Sequence, residues 1–71
     1  MDWRERITLD PHVLEGKPVI KATRICVELV IELLGNDWAE EEILESYPHL
    51  TREHIKACLE NASYVLHAEK V

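Results

Sequence analysis

Hydrophobic and polar positions change their period along these 71 residues. Residues 7–14, Ile-Thr-Leu-Asp-Pro-His-Val-Leu, form short extended stretches broken at Pro11. Glu15-Gly16-Lys17-Pro18 reads as a turn, with Gly16 tolerating a positive φ and Pro18 biasing Lys17 away from helix. Val19-Ile20 is a second short strand, leading into Lys21-Ala22-Thr23-Arg24. Two such segments around a turn pair as a hairpin, which is marginal in water and must pack on something.

From Ile25 the period becomes helical. Ile25, Leu29, Val30, Leu33 and Leu34 share one side, with Glu28 and Glu32 on the other. Gly35-Asn36 is a stop signal. Asp37 is the expected N-cap of a second helix, with Glu40 completing a capping box. Trp38, Ile43, Leu44 and Tyr47 supply its apolar side, and Pro48 ends it. Thr51 is the next expected N-cap, with Leu50 and Ile55 as a hydrophobic staple. Ile55, Cys58, Leu59, Ala62, Val65 and Leu66 then continue at helical spacing, with no Gly or Pro in 51–71. About 20 helical residues span roughly 30 Å, as long as a small domain is wide, so part of this helix is expected to reach a second chain. The prediction is mainly α: a β-hairpin arm over 1–24, then three helices over 25–71, in one domain. Only Pro48-His49-Leu50 separates the second and third helices, the layout of a helix-turn-helix.

Composition narrows the class. Ile, Leu and Val supply 21 residues against 5 Gly plus Pro, which disfavours disorder. No apolar run approaches the ~20 residues of a membrane span, and Met1-Asp2-Trp3-Arg4-Glu5 is no apolar leader. Two cysteines make no disulfide framework, so a cytoplasmic protein is expected. The net charge of −6 is localised: residues 1–24 carry +1, residues 25–50 carry −7 with no Lys or Arg, and residues 51–71 carry 0. Non-specific nucleic-acid binding is therefore weak, while a local surface can still attract phosphate.

Candidate chemistry is sparse. Arg52 and Lys56 stand one turn apart near the start of the third helix, with Thr51 and His54 as further donors to DNA phosphate or base edges. Against this, Glu53 and Glu60 neighbour them, and Lys56–Glu60 is an ordinary i,i+4 surface pair. Lys17, Lys21 and Arg24 cluster beside the hairpin; they hold DNA backbone or, the favoured use, anchor an acidic surface of a partner or of residues 25–50. Cys26 and Cys58 read as small core residues. The histidines and cysteines lack zinc-ligand spacing, so no metal or cofactor is expected. Asp10 beside His12 lacks a nucleophile or metal, no Gly-rich loop cradles phosphate, and no enzyme or small-molecule substrate is expected.

The stretch Ile7-Thr8-Leu9-Asp10-Pro11 through Gly16-Lys17-Pro18-Val19-Ile20 to Thr23-Arg24-Ile25-Cys26-Val27 resembles the signature of the domain-of-unknown-function 433 family. Glu42-Ile43-Leu44-Glu45-Ser46-Tyr47-Pro48-His49-Leu50-Thr51-Arg52-Glu53-His54-Ile55 resembles its second block. The resemblance implies a homeodomain-like helical fold and a VapB-type antitoxin-like role beside a PIN-like nuclease toxin. One departure stands out. The family has Arg-Gly where this chain has Lys21-Ala22. Lys keeps the charge without the bidentate fork, and Ala22 is strained if the backbone there takes a positive φ.

The resulting expectation is a non-enzymatic antitoxin of a type II toxin–antitoxin pair. It binds a PIN-like toxin through a surface that includes Lys17, Lys21 and Arg24, and operator DNA through Thr51, Arg52, His54 and Lys56. A homodimer is expected from the small core and the long last helix. Such proteins usually carry a flexible toxin-binding tail, and little chain follows the third helix, so the folded surface, with the hairpin as a candidate, or a separate chain would do that work. The alternative is a small homodimeric protein-interaction module without DNA binding.

Overall fold

The computed structural model describes residues 3–9 and 16–68. A 3-10 turn (Trp3–Glu5) precedes β1 (Ile7–Thr8), β2 (Val19–Ile20), α1 (Val27–Gly35), α2 (Glu40–Ser46) and α3 (Arg52–Ala68). The mainly helical reading with an N-terminal hairpin matches this order. Pro11, Asp10, His12 and the start of the expected 15–18 turn lie outside the described residues. Gly16, at φ 83°, occupies the positive-φ position read from the sequence.

β1 and β2 are antiparallel, with Ile7 opposite Ile20 and Thr8 opposite Val19. The second edge of β2 is also used. Ile20 N–H donates to the Ile25 carbonyl at 2.9 Å, Val27 N–H to the Pro18 carbonyl at 3.0 Å, and Val19 bridges Cys26. Between these rungs the chain reverses. Thr23 N–H donates to the Ile20 carbonyl at 3.1 Å, and Ala22 is at φ 66°. A positive φ at the third of four residues is the type II pattern, which favours glycine. Ala22 therefore stands in the conformation where its β-carbon is strained. Thr23 secures the turn, because its hydroxyl donates to the Ile20 carbonyl (2.8 Å) and accepts from Ile25 N–H (3.0 Å).

The helices differ from the sequence reading in three respects. First, α1 begins at Val27, with Cys26 Sγ as the N-cap acceptor for Leu29 N–H at 3.4 Å. Val27 and Val30 are its buried residues, while Ile25 precedes the helix and Leu29, Leu33 and Leu34 are half-buried. Second, Asp37 is not an N-cap. Its φ is 68°, its N–H donates to the Leu34 carbonyl, and Trp38 N–H donates to the Leu33 carbonyl, both at 3.1 Å. These paired bonds are a Schellman motif, which terminates α1 and satisfies its last carbonyls. Asp37 is one of the few side chains that tolerate this left-handed position. The cap of α2 falls two residues later, at Ala39, whose N–H donates to Glu42 Oε1 at 2.7 Å. Alanine has no side-chain acceptor, so only that half of the box forms. Third, the inner face of α3 is turned from the expected stripe. Ile55, Ala57, Cys58 and Asn61 are buried, whereas Leu59 (49% exposed), Val65 (40%) and Leu66 (71%) are not.

The core joins all elements. Ile7, Ile20, Val27, Val30, Ile43, Leu50, Ile55, Ala57 and Cys58 form one cluster. Leu50 and Ile55 are both within it, as the staple requires. The hairpin is thus stabilised by packing on α1 and α3. The N-terminal turn lies on the distal half of α3, where Trp3 and Tyr64 rings sit 5.5 Å apart and the Arg4 guanidinium stands 4.6 Å and 4.8 Å from them. This cation–aromatic contact covers part of the helix that the sequence pattern assigned to a partner chain. Among the described residues, no helix is long and apolar enough to cross a membrane.

Cys58 is a core side chain, as expected, and burial pushes its thiol from 9.0 to about 12, with Cys26 adding to the rise. The folded state thus holds a proton that the unfolded chain releases above pH 9, and stability present below that pH is lost as pH rises toward 12. Denaturant titrations should show this loss, up to about 4 kcal/mol, as a difference that Cys58→Ala does not display. Ala22→Gly should raise stability by about 1 kcal/mol, since it relieves a left-handed alanine at some cost in unfolded-chain entropy. Thermal melting should register it as a gain of roughly 4–8 °C.

Candidate nucleic-acid interface

The α2–α3 corner is built by local backbone bonds. α2 ends at Ser46, and Tyr47 N–H closes its last turn on the Ile43 carbonyl at 2.9 Å. Leu50 N–H then donates to the Tyr47 carbonyl at 2.9 Å, enclosing Pro48 and His49 in a tight turn. Pro48 suits it because the ring fixes φ and ends the helix before it. Buried Leu50 anchors the turn to the core, while Pro48 and His49 stay exposed.

Thr51 caps α3 as expected, with a histidine in the reciprocal role. Thr51 N–H donates to His54 Nδ1 at 3.0 Å, and His54 N–H lies 3.4 Å from Thr51 Oγ1. Both side chains are thus partly committed to the fold. Because His54 Nδ1 accepts a hydrogen bond, a neutral His54 carries its proton on Nε2.

The other candidate cations divide into two groups. Arg52 Nη1 meets Glu40 Oε1 at 2.9 Å, joining the head of α3 to α2. Lys17 Nζ meets Glu28 Oε1 at 3.2 Å, joining the hairpin side to α1. Both pairs are solvent-exposed, a setting in which an ion pair contributes about 0–1 kcal/mol. Lys21, Arg24 and Lys56 are exposed and have no ion-pair partner among the described residues. The expected Lys56–Glu60 pair is not formed.

Lys21 and Arg24 do not stay with Lys17. The reversal at Ala22 carries them to the α2–α3 corner, where they line a hollow of about 530 Å³ with Thr23, Ile25, His49 and His54. The sequence reading had placed Lys21 and Arg24 in one site and His54 in another, and had given His49 no role. The fold brings them together over about 30 residues of separation. No local signal pairs residues 21–24 with 49–54, because a tertiary packing of the turn against the head of α3 creates the hollow.

A second hollow, of about 550 Å³, lies between α1 and α3 and is mainly apolar. Val27, Ile31, Ala62, Val65 and Leu66 line it, with the Lys17–Glu28 pair at its rim. Among the described residues, no three His, Cys, Asp or Glu side chains converge as metal ligands.

Thr51→Ala should cost about 1 kcal/mol through loss of the cap oxygen. Arg52→Ala should cost no more than about 1 kcal/mol, because its pair is exposed. Chemical denaturation of the two variants in parallel checks the order, Thr51→Ala below Arg52→Ala.

No curated protein matches the chain. No solved structure matches it either. The sequence profile of the family described as "Protein of unknown function (DUF433)" matches residues 7–62. That span includes both strands, the positive-φ turn, α1, α2 and most of α3, and on this ground the chain belongs to the DUF433 family.

Proposed function

We propose that this protein is the antitoxin of a type II toxin–antitoxin pair, a cytoplasmic homodimer without catalytic activity that binds a PIN-like nuclease toxin and its own operator DNA. The antitoxin role rests on the family resemblance. The DNA part rests on one observation: the hollow at the head of α3 is lined by Lys21, Arg24, His49 and His54 in a protein of net charge −6. Lys56, on the same helix but turned away from His54, does not line the hollow and has no ion-pair partner among the described residues. Positive charge at a helix-turn-helix corner suits backbone phosphates, and Thr51, Arg52, His54 and Lys56, in the first turns of α3, are the residues this reading assigns to DNA. Arg52 reaches DNA by giving up its exposed pair with Glu40, at little cost.

The dimer is supported by α3. Leu59 near its middle and Val65 and Leu66 further along expose apolar surface, and a second copy is the occupant assigned to it. The folded surface then holds the toxin, with Lys17 on the hairpin side and Lys21 and Arg24 at the α2–α3 corner as candidates for acidic patches of that protein.

A second reading, an interaction module without DNA binding, is favoured by α2. Its first turn carries Glu40, Glu41 and Glu42 beside Arg52, and such a helix repels a phosphate backbone.

Gel shift on the DNA upstream of the gene, with a salt series, separates the two readings. Binding should weaken with salt, and Lys56→Ala should reduce the salt slope by about 1. Absence of a shift at low salt removes the DNA part and leaves the interaction module. Sedimentation should give a dimer at micromolar concentration; a monomer removes the dimer.

A further inference from the structure

We propose that the hollow between the Ile20–Ile25 reversal and the α2–α3 corner is a binding site for a phosphate group. Four nitrogen-bearing side chains line it: Lys21, Arg24, His49 and His54. Among the described residues no carboxylate does, in a chain with 14 acidic residues. Lys17 and Arg52, which lie outside the hollow, are each paired with a glutamate, whereas Lys21 and Arg24 are paired with none among the described residues. Lys56 is likewise without an ion-pair partner among the described residues but does not line the hollow, whereas both strong cations that do line it keep their charge available for a ligand.

The donors are held in place before any ligand arrives. The turn that carries Lys21 and Arg24 is tied by Lys21 N–H to the Arg6 carbonyl (2.8 Å) and by Thr23 N–H to the Ile20 carbonyl. Thr23 is used inside the turn on both its donor and acceptor sides, so it positions the site without serving as a ligand. The N–H groups of Ala22 and Arg24 have no partner among the described residues. His54 is oriented by Thr51, which leaves Nε2–H as its remaining donor. Preorganised donors lower the ordering cost of binding, and hydrogen bonds to a charged phosphate are about twice as strong as neutral ones. A guanidinium and an ammonium with two imidazoles match a tetrahedral dianion or a diester better than a planar apolar ligand. The volume leaves room for a substituent on the phosphate.

This inference deepens the operator reading, since a DNA backbone is one source of such a phosphate and a free phosphate compound is the other. The test therefore begins without DNA. The full chain is titrated with inorganic phosphate, and with chloride at matched ionic strength, while backbone amides are followed by NMR. Saturable shifts confined to residues 21–25, 49 and 54 are expected with phosphate only. Arg24→Ala and Lys21→Ala should each weaken binding at least about tenfold, and Arg24→Lys by less. Thermal melts establish that the variants fold, and the wild-type shift map stands even if one does not.

A short DNA duplex forms the second arm. If it moves the same amides, the source is nucleic-acid backbone; if only inorganic phosphate moves them, the source is a small phosphate compound. Shifts that are scattered, non-saturating or equal with chloride overturn the site. So does a Lys21→Ala/Arg24→Ala double variant that binds phosphate as the wild type does. Saturable phosphate binding without a gel shift keeps the site and removes the operator reading. A duplex bound equally well by wild type and double variant removes the site and keeps the operator reading.

Discussion

The reversal of the chain within Ile20–Ile25 is the constraint on which the rest of the structure depends. It places β2 between two partners, with β1 on one edge and the segment before α1 on the other. A two-residue strand has too few hydrogen bonds to hold alone, and pairing both edges doubles them. Ile20, fully buried, then becomes the point where hairpin, α1 and α3 meet. The same reversal sets Cys26 as the cap of α1, and so fixes the direction in which that helix leaves. It also accounts for Lys21 and Arg24 facing α3, because the residues at the tip of a turn are those its strands do not bury. All of this requires a left-handed backbone at residue 22, which the chain adopts with alanine, against the residue's preference.

Electrostatics follows from the same arrangement. The acidic block at 25–50 first suggests a surface that repels nucleic acid. In the folded chain two of its glutamates are matched, Glu28 by Lys17 and Glu40 by Arg52. These pairs contribute little to stability, being exposed, yet they sort the cations into those already partnered and those not. The unpartnered cations of the turn gather at one end of α3, and the mainly apolar hollow between α1 and α3 lies along the distal half of that helix. One helix therefore carries two surfaces of unlike chemistry, cationic at its head and apolar further along, and the two suit different partners.

Much of the fold was legible along the chain. Thr51 as a cap, the Leu50–Ile55 staple, the Pro48 stop and the order hairpin then three helices all depend on interactions within about five residues, which a local pattern records. The errors have a common cause. Asp37 satisfies the local grammar of an N-cap, but the preceding helix uses it as a left-handed C′ residue, and only the backbone decides between these roles. The apolar stripe of α3 was read as Ile55, Cys58, Leu59, Ala62, Val65 and Leu66; packing buries Ile55 and Cys58 of these, adds Ala57 and Asn61, and leaves Leu59, Val65 and Leu66 exposed. Periodicity gives the spacing of a buried face and leaves its rotation open by a residue. The Trp3–Arg4–Tyr64 contact joins residues about 60 apart, and no spacing rule reaches that far.

The candidate site divides in the same way. From the sequence alone came the family signature, the helix-turn-helix corner and the candidacy of Lys21, Arg24 and His54, though not of His49. The sequence also contained the strain at position 22, since alanine stands where the family has glycine. Which of those side chains act together was decided by tertiary structure. Lys17 was grouped with Lys21 and Arg24 because they are close in the chain, yet the turn at Ala22 separates them and delivers two of the three to His54. Charge identity is written residue by residue, whereas charge proximity depends on where the backbone reverses and what it packs against.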